Sequence, residues 1–475
     1  MLPDAEHSRR ALSTWVWRIV ALPALRTPSS EFGATPYAAL SHCWGGDIPG
    51  KTVKRNVEAR KFGIPNRDIA LTFRDAIRIT RELGIRYLWI DALCIIQDSA
   101  EEWAQESVKM MSLYAMATVT ISALEARSSS AGILKRQSIP FAVLSDDYVA
   151  QMNLRPFPES LGECPLDSRA WCMQERLLAP AILHFGEEQM FWKCRIHQAY
   201  EDGRVDPEGT WYYDNVSSFM KLRKSINLGT TGEWGTWYHI VEDYSRRNLT
   251  VASDKLPAIA GAAQTFREAQ SCRTAPTYVA GLWKQDIRRG IAWGAHYHHG
   301  ANRKVGGYAS DRCAVLTRPR QQRAPSWSWA SVDSQVAFRW RGDHDLKLDV
   351  RMARGENNLM EASPAGTLEV WGTLASVLYY PPAEKSHDVG CLAFGSDPDP
   401  SDRSKTLPGC VLDTHRDQPR ACWAVNIGTH SDQLWLVLHL REDGLFERIG
   451  LCTGNFAGQS FVSDDTFVEK RVSIV

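Results

Sequence analysis

The sequence predicts an α/β chain with three parts: an N-terminal domain (1–200) built on a doubly wound, mostly parallel sheet, a helical region (201–305) and a β-rich C-terminal region (306–475). Three patterns carry this expectation. Strand-like and helix-like periodicities alternate through the first 200 residues, helical spacing dominates from about Trp211 to Gln270, and β patterning takes over beyond about Ser310. Alternation of this kind marks parallel strands joined by helical crossovers.

Tyr37 to Cys43 is a short apolar run ending in Trp44-Gly45-Gly46-Asp47, a turn in which glycine lets the backbone pass close to a neighbour. Thr72 to Leu83 puts Phe73, Ala76, Ile77, Thr80 and Leu83 at helical spacing, with Thr72 suited to cap the start and Gly84 the end. Tyr87 to Ile96 is nearly continuously apolar, as in a strand covered on both faces. Ser99-Ala100-Glu101-Glu102 is a capping box. It opens a helix whose Trp103, Met110, Met111, Tyr114 and Ala117 form one stripe. Thr118 to Ala123, rich in β-branched residues, is the next strand. A polar, Ser-rich break follows at Arg127 to Ala131. Ser168 can then cap a helix from Arg169 to Leu178, and Ala181 to Phe185 and Gln189 to Cys194 read as strands. Farther on, Leu256, Ile259, Ala260 and Ala263 share a helical face. Leu434 to Leu440 and Leu445 to Cys452 flank Arg441-Glu442-Asp443-Gly444 as a hairpin, while Pro381 to Pro419 reads as loop-rich. No internal repeat is present.

Composition narrows the function classes. Of 475 residues, 44% are hydrophobic and 23% charged, which excludes wholesale disorder and fibrous or low-complexity chains. The 55 basic and 55 acidic residues cancel, so there is no global field to draw in nucleic acid or anionic lipid. Basic residues between Lys284 and Arg323 read as a solvated surface. The 18 Trp argue for extensive cores or for surfaces that stack on flat ligands. No apolar stretch reaches the roughly 18 residues of a membrane-spanning helix. Ala11 to Leu25 superficially resembles a signal peptide, but Arg18 splits it and no small-residue cleavage site follows. The 11 cysteines are odd in number, and Cys43, Cys94 and Cys172 sit in apolar segments, so reduced thiols in a cytoplasmic protein are expected. In such a protein the sequons at Asn215 and Asn248 carry no meaning. Cys194-x-x-His197 and the trio His296, His298 and His299 lack a second ligand pair at zinc-finger spacing, so no metal is expected. No phosphate-loop motif is present.

Three segments resemble the signature blocks of the fungal heterokaryon incompatibility (HET) domain. They are Tyr37-Ala38-Ala39-Leu40-Ser41-His42-Cys43-Trp44-Gly45, then Arg86-Tyr87-Leu88-Trp89-Ile90-Asp91-Ala92-Leu93-Cys94-Ile95-Ile96-Gln97-Asp98, then Ser168-Arg169-Ala170-Trp171-Cys172-Met173-Gln174-Glu175-Arg176-Leu177-Leu178. Their order and spacing fit over roughly residues 36 to 200. Downstream, the stretches from Leu249 to Gly261, Tyr278 to Trp283 and Ala324 to Ser331 are similar to segments common in full-length HET proteins. The resemblance implies a fungal protein of non-self recognition and programmed cell death. It also implies a domain distantly similar to the TIR fold (TIR/flavodoxin-like), which in many members cleaves NAD. Trp171 to Leu177 looks like the Trp-Cys-x-x-Glu-Leu stretch of plant TIR domains, whose glutamate is catalytic, and departs from it at Arg176. Ala39-Leu40-Ser41 through Gly46-Asp47 echoes the first TIR strand and its Arg-Gly-x-Asp turn.

The resemblance makes Glu175 the candidate catalytic residue. On a helix, Trp171, Glu175 and Leu178 share one face. A carboxylate on an otherwise apolar face must be paired, protonated or held for chemistry, and a structural glutamate bonded to Arg169 or to backbone amides fits the same spacing. Cleaving the nicotinamide–ribose bond releases a neutral base through an oxocarbenium-like transition state, which a fixed carboxylate stabilises. Trp44, Gly45, Gly46, Asp91 and Trp171 are the candidate nucleotide-binding residues. Aromatic faces sandwich flat bases, a Gly-Gly turn approaches a pyrophosphate, and Trp44 to Gly46 fall at the carboxyl end of the first strand. Trp44 as a core anchor, and Asp91 as a cap or partner of an arginine, remain open alternatives. His42 and Cys43 are adjacent, so on a strand their side chains oppose and form no nucleophile–base pair. Trp327 and Trp329, two apart on an expected strand, read as core or as a wall between domains.

The expectation is an incompatibility or cell-death effector whose HET domain hydrolyses NAD or a related nucleotide, with NAD as substrate and no permanently bound cofactor. The alternative is a non-enzymatic signalling or self-association module. Expected partners are a second copy through the HET domain or an incompatibility protein, with no nucleic acid and no membrane span.

Overall fold

The computed structural model describes residues 19–21, 24–26, 35–134, 164–186, 189–194, 197–201, 203, 205–206, 234–270, 276–295, 317–338, 349–354, 366–381, 390–394, 406–413, 419–427, 434–453 and 467–475. Chain contacts divide it into two units, Met1–Gly229 and Thr230–Val475. The expected β-rich region and the expected helical region from Thr230 on fall in the second unit, Val205–Asp206 is a strand of the first, and residues 207–233 lie outside the described residues.

The first unit is built on one sheet of nine strands. Its elements are β1 (Ile19–Ala21), β2 (Ala24–Arg26), β3 (Tyr37–Ser41), α1 (Val57–Arg60), α2 (Leu71–Glu82), β4 (Tyr87–Trp89), α3 (Asp91–Cys94), α4 (Ala100–Met116), β5 (Val119–Ala123), α5 (Ala170–Leu178), β6 (Ala181–Phe185), β7 (Met190–Cys194), β8 (Gln198–Tyr200) and β9 (Val205–Asp206). The strand order is β2-β1-β4-β3-β5-β6-β7-β8-β9. β3 runs parallel to β4 and β5, and β5 parallel to β6. The flanking strands are antiparallel: β1 on β4 at one edge and β6 through β9 at the other. The α/β character stands. The sheet is mixed rather than mostly parallel, because only strands separated by helical crossovers run parallel, and the short links at each edge return as hairpins.

Buried apolar residues explain these elements. Ala38, Ala39 and Leu40 of β3 and all of β5 are buried, as befits strands covered on both faces. On α2, Phe73, Ala76, Ile77 and Thr80 form the buried face. Gly84, at φ 70°, lets the chain leave that helix in the left-handed conformation that closes many helices. Ser99 caps α4 by accepting the Glu102 amide at 3.4 Å. Three local expectations differ from the structure. Thr72 lies inside α2, and its hydroxyl donates to the Ser128 carbonyl (3.2 Å) and accepts the Gly132 amide (3.1 Å) instead of capping. Ser168 donates to the Pro165 carbonyl and leaves α5 without a side-chain cap. The apolar run from Tyr87 to Ile96 is strand only as far as Trp89; beyond Ile90 it coils into α3, so Asp91 starts a helical turn and is not inside a strand.

In the second unit, α6 (Trp234–Ser245), α7 (Ala260–Gln270) and α8 (Ile287–Gly290) accompany two small antiparallel pairs, β10 (Tyr278–Val279) with β11 (Leu282–Trp283) and β12 (Trp293–Ala295) with β13 (Val336–Phe338). The remaining strands are β14 (Asp349–Arg354), β15 (Thr367–Tyr380), β16 (Gly390–Phe394), β17 (Thr406–Leu412), β18 (Arg420–Asn426), β19 (Leu434–Leu440), β20 (Phe446–Thr453) and β21 (Phe467–Ile474). The long β15 pairs with both β16 and β18, so the path β15-β16-β17-β20-β19-β18 closes on itself as a barrel. Alternate residues fill it, among them Val377, Tyr379, Phe394, Cys410, Trp435 and Val437. The stretch from Pro381 to Pro419, expected to be loop-rich, contains all of β16 and β17: their short apolar pieces gain ladder partners that the local sequence does not reveal. The β19–β20 hairpin is as expected.

Several tryptophans of this unit are core, while Trp371 is exposed. Trp237, Trp283, Trp293, Trp327 and Trp329 are fully buried. The indole N–H groups of Trp237 and Trp329 both reach the Gly281 carbonyl, at 3.1 and 2.8 Å. Those of Trp293 and Trp327 reach the carbonyls of Trp327 and Gly366. Trp327 and Trp329 lie on a turn and a short 3-10 helix rather than on a strand. The described cysteines are free thiols, and Cys43, Cys94 and Cys172 are buried. No described helix is long and apolar enough to cross a membrane.

Candidate functional site

Three segments far apart in sequence meet at the carboxyl ends of β3 and β4. The chain passes from β3 to β4 on one side and then returns past β3 to β5 on the other. Such a reversal opens a crevice at the carboxyl edge of a parallel sheet, where ligands bind. Ser41 is the last residue of β3, Asp91 follows β4, and Glu175 lies on α5, the helix leading into β6.

Glu175 is 6% exposed and accepts a short hydrogen bond from the Ser41 hydroxyl. Burial pushes its carboxyl up to about 7; Arg169, Ser41 and Tyr114 pull the other way, and Asp91 adds to the rise. Tyr114, in the last turn of α4, donates to the Leu40 carbonyl at 3.1 Å and is buried beside the same carboxyl. Arg169, immediately before α5, does not ion-pair with Glu175. It donates to the His42 carbonyl, and no other partner for its guanidinium occurs among the described residues. The carboxylate is therefore held by hydroxyls with a cation near but not touching, so it titrates close to neutral pH.

Asp91 is the second hub. Its Oδ2 accepts the Trp44 indole N–H at 2.7 Å, and its Oδ1 accepts the Ala92 amide at 2.6 Å. His42 Nδ1 lies 3.7 Å from Asp91 Oδ1. The His42 ring meets Phe73 edge-on, with centroids 5.0 Å apart, and its Nε2 has no partner among the described residues. Burial pushes His42 down to about 4, against the pull of Asp91. The ring is neutral at physiological pH.

The structure thus brings Trp44, Asp91 and Glu175 into one neighbourhood. Trp44 is half-buried, and Gly45 and Gly46 beside it are exposed with φ of 71° and 114°. A Cβ on Gly45 would stand 2.1 Å from Ser128 Cβ and 2.8 Å from the Arg127 carbonyl, so only glycine fits there. Trp171 is buried, edge-on to Trp103 of α4 with ring centroids 5.9 Å apart. Arg176, where the TIR-like stretch departs, pairs with buried Asp167 at 2.6 Å. Burial raises the thiols of Cys43 and Cys172, which suits packing rather than nucleophilic chemistry.

Between α5 and the sheet, Ser41, Thr120, Ser122, Cys172, Arg176 and His184 line a cavity of ≈ 10 Å³. That is room for about one water. Thr120 Oγ1 and His184 Nε2 lack partners among the described residues. No described group of three His, Cys, Asp or Glu is arranged to hold a metal. Cys194 Sγ lies 3.8 Å from His197 Nδ1, and His296, His298 and His299 are outside the described residues.

Sequence reasoning passed over Ser41, His42 and Tyr114 as members of this site. Ser41 and Glu175 are 134 positions apart, and no spacing rule joins them. The available signal was the polar pair Ser41-His42 closing an apolar strand just before a Gly-Gly turn.

Residues 37–175 match the model of the family described as heterokaryon incompatibility protein (HET), and this segment is a HET domain. Neither a curated protein nor a solved structure matches the chain.

Proposed function

We propose that the HET domain hydrolyses NAD or a related nucleotide, with Glu175 as its catalytic carboxylate, in a cell-death response to non-self. The observation that carries this reading is a buried carboxyl titrating near 7 and held by a serine hydroxyl at the carboxyl end of the first parallel strand. The parallel strands in spatial order β4-β3-β5-β6 are second, first, third and fourth along the chain, which agrees with a doubly wound, flavodoxin- or TIR-like arrangement.

In this reading NAD and water give ADP-ribose, nicotinamide and a proton. The ionised Glu175 faces the ribose, stabilises the growing positive charge and accepts the proton of the attacking water. Arg169 favours the ionised form, and Ser41 orients the carboxylate until a ribose hydroxyl replaces it. Trp44, steadied by Asp91, offers a flat face to a base, Gly45 and Gly46 allow close approach of the phosphates, and Trp171 supports the helix turn that carries Glu175.

Purified full-length protein at high concentration should consume NAD, with the rate rising through pH 7 as Glu175 ionises. Glu175→Gln should lower that rate by roughly 100-fold or more without lowering the melting temperature at neutral pH. NAD left intact by wild-type protein at high concentration and with a crowding agent would sink the enzymatic reading.

One observation favours a second reading: in the single chain Glu175 is 6% exposed and already occupied by Ser41. In that view the HET domain self-associates or binds an incompatibility protein, and assembly opens the site or replaces its chemistry altogether.

A further inference from the structure

The Ser-rich break after β5 packs against the Gly-Gly turn after β3. The Ser129 amide donates to the Trp44 carbonyl at 3.1 Å, and the Gly45 backbone lies against Ser128 and Arg127. Thr72 ties the same break down from α2. The two turns therefore form one surface at the carboxyl ends of adjacent parallel strands.

Two arginines flank that surface. Arg169 approaches from just before α5 to the His42 carbonyl, two residues before Trp44, and that bond uses one of the five N–H donors of a guanidinium. Arg127 is exposed, and its own carbonyl touches the Gly45 position. Both cations act on the intervening Cys43 thiol and pull it down against burial. Neither arginine has a carboxylate partner among the described residues. The nearby acids are engaged elsewhere: Asp47 takes the Lys51 ammonium, Asp91 takes Trp44 and Ala92, and Glu175 takes Ser41. The amides of Gly45 and Gly46 make no hydrogen bond with any described residue. Two guanidinium groups with no carboxylate in contact, beside free amides on an exposed turn that only glycine fits, match the needs of a phosphate dianion or a diphosphate.

We propose that the Trp44–Asp47 and Arg127–Ala131 turns form a diphosphate-binding subsite, with Arg169 and Arg127 as its cationic residues. This rests on the reading of the neighbouring site as a nucleotide site and names the part of the ligand it grips. Arg169 anchors the phosphate nearer Glu175, and Arg127 takes the outer one from the solvent side.

The test uses full-length protein carrying Glu175→Gln, so that no turnover occurs, with calorimetric titration of ADP, adenosine and inorganic diphosphate. ADP should bind roughly tenfold or more tightly than adenosine, and its affinity should fall as salt rises. Arg127→Gln and Arg169→Gln should each weaken ADP by roughly tenfold and leave adenosine unchanged, and Arg169→Lys should restore part of the loss. Arg169→Gln also frees the His42 carbonyl, so exposed Arg127 is the variant that decides. Equal affinity for ADP and adenosine, absence of ADP binding, or an Arg127→Gln protein that binds ADP like its parent would each overturn the subsite. Arginine-dependent ADP binding without NAD loss in wild type would sink the catalytic reading alone. NAD loss that ignores both arginines would sink the subsite alone.

Discussion

Two carboxyls, one in each unit, are both buried and live differently. Asp413, in the second unit, meets the Arg448 guanidinium at 2.6 Å, with Arg318 at 3.7 Å. Arg448 is itself stacked on Trp293, its central carbon 3.4 Å from the ring centroid. Burial raises Asp413 above the ordinary carboxylate value, and the two arginines oppose the rise. Glu175 suffers the same desolvation, but its cation stands off and its direct partner is a hydroxyl, so it reaches about 7. A charge neutralised by contact is part of the scaffold. A charge left close to its titration point is available for chemistry.

The largest effect follows from breaking the scaffold pair. Arg448→Met leaves Asp413 buried with only the more distant Arg318, and should cost about 3–5 kcal/mol in denaturant unfolding of the second unit. Replacing both partners with apolar residues of similar volume should recover most of that loss. If Arg448→Met proved neutral, the contrast between the two carboxyls would lose its structural half.

Glu175 should behave in the opposite sense. Its folded-state value is raised above 4.5, so its stabilising contribution is fully present below pH 4.5 and is lost as pH rises through about 7, a swing of about 3 kcal/mol. His42 runs the other way. Its folded value is lowered from 6.5 to about 4, so its contribution is present above pH 6.5 and lost as pH falls through 4, again by about 3 kcal/mol. Between roughly pH 4.5 and 6.5 the two nearly cancel, and wild-type stability should be flat there. Glu175→Gln should expose the His42 slope and make the protein more acid-labile, while raising stability at pH 8. His42→Asn should expose the Glu175 slope and favour acid conditions. Identical pH profiles for wild type and both variants would show that neither group is perturbed by burial.

How much of this was legible beforehand follows from range. The strands β3, β5 and β6, the helices α2, α4 and α5 and the β19–β20 hairpin announce themselves, because apolar periodicity, Gly84 and the Ser99 capping box act within a few residues. Glu175 was legible as an oddity, a carboxylate on an apolar helix face. Its partner Ser41 was not, because a parallel sheet joins positions that no local spacing connects. Asp91 was misplaced inside a strand because an apolar run does not show where it stops being extended and begins to coil. The barrel strands β16 and β17 were hidden for a similar reason: Pro408 and the nearby polar residues break local patterning, while ladder pairs from β15 and β20 hold the strands.

The tryptophans repeat the comparison on a smaller energy scale. Trp329 in the second unit is fully buried and gives its N–H to the Gly281 carbonyl at 2.8 Å, a backbone group fixed by the fold. Trp44 in the first unit is half-buried and gives its N–H to Asp91, a side chain that also faces His42. Trp329→Phe should therefore destabilise its unit by about 2 kcal/mol, through lost packing as well as the lost bond. Trp44→Phe should cost about 1 kcal/mol or less, because part of its ring already meets water and Asp91 retains the Ala92 amide. The same substitution should weaken nucleotide binding to the Glu175→Gln protein more than it weakens the fold, since phenylalanine keeps an aromatic face but loses the bond that aims it. Asp91→Asn, which retains an acceptor for the indole, should bind nucleotide more tightly than Asp91→Ala. A Trp44→Phe protein that lost stability to the same extent as Trp329→Phe while keeping full nucleotide affinity would make Trp44 a core residue like the others.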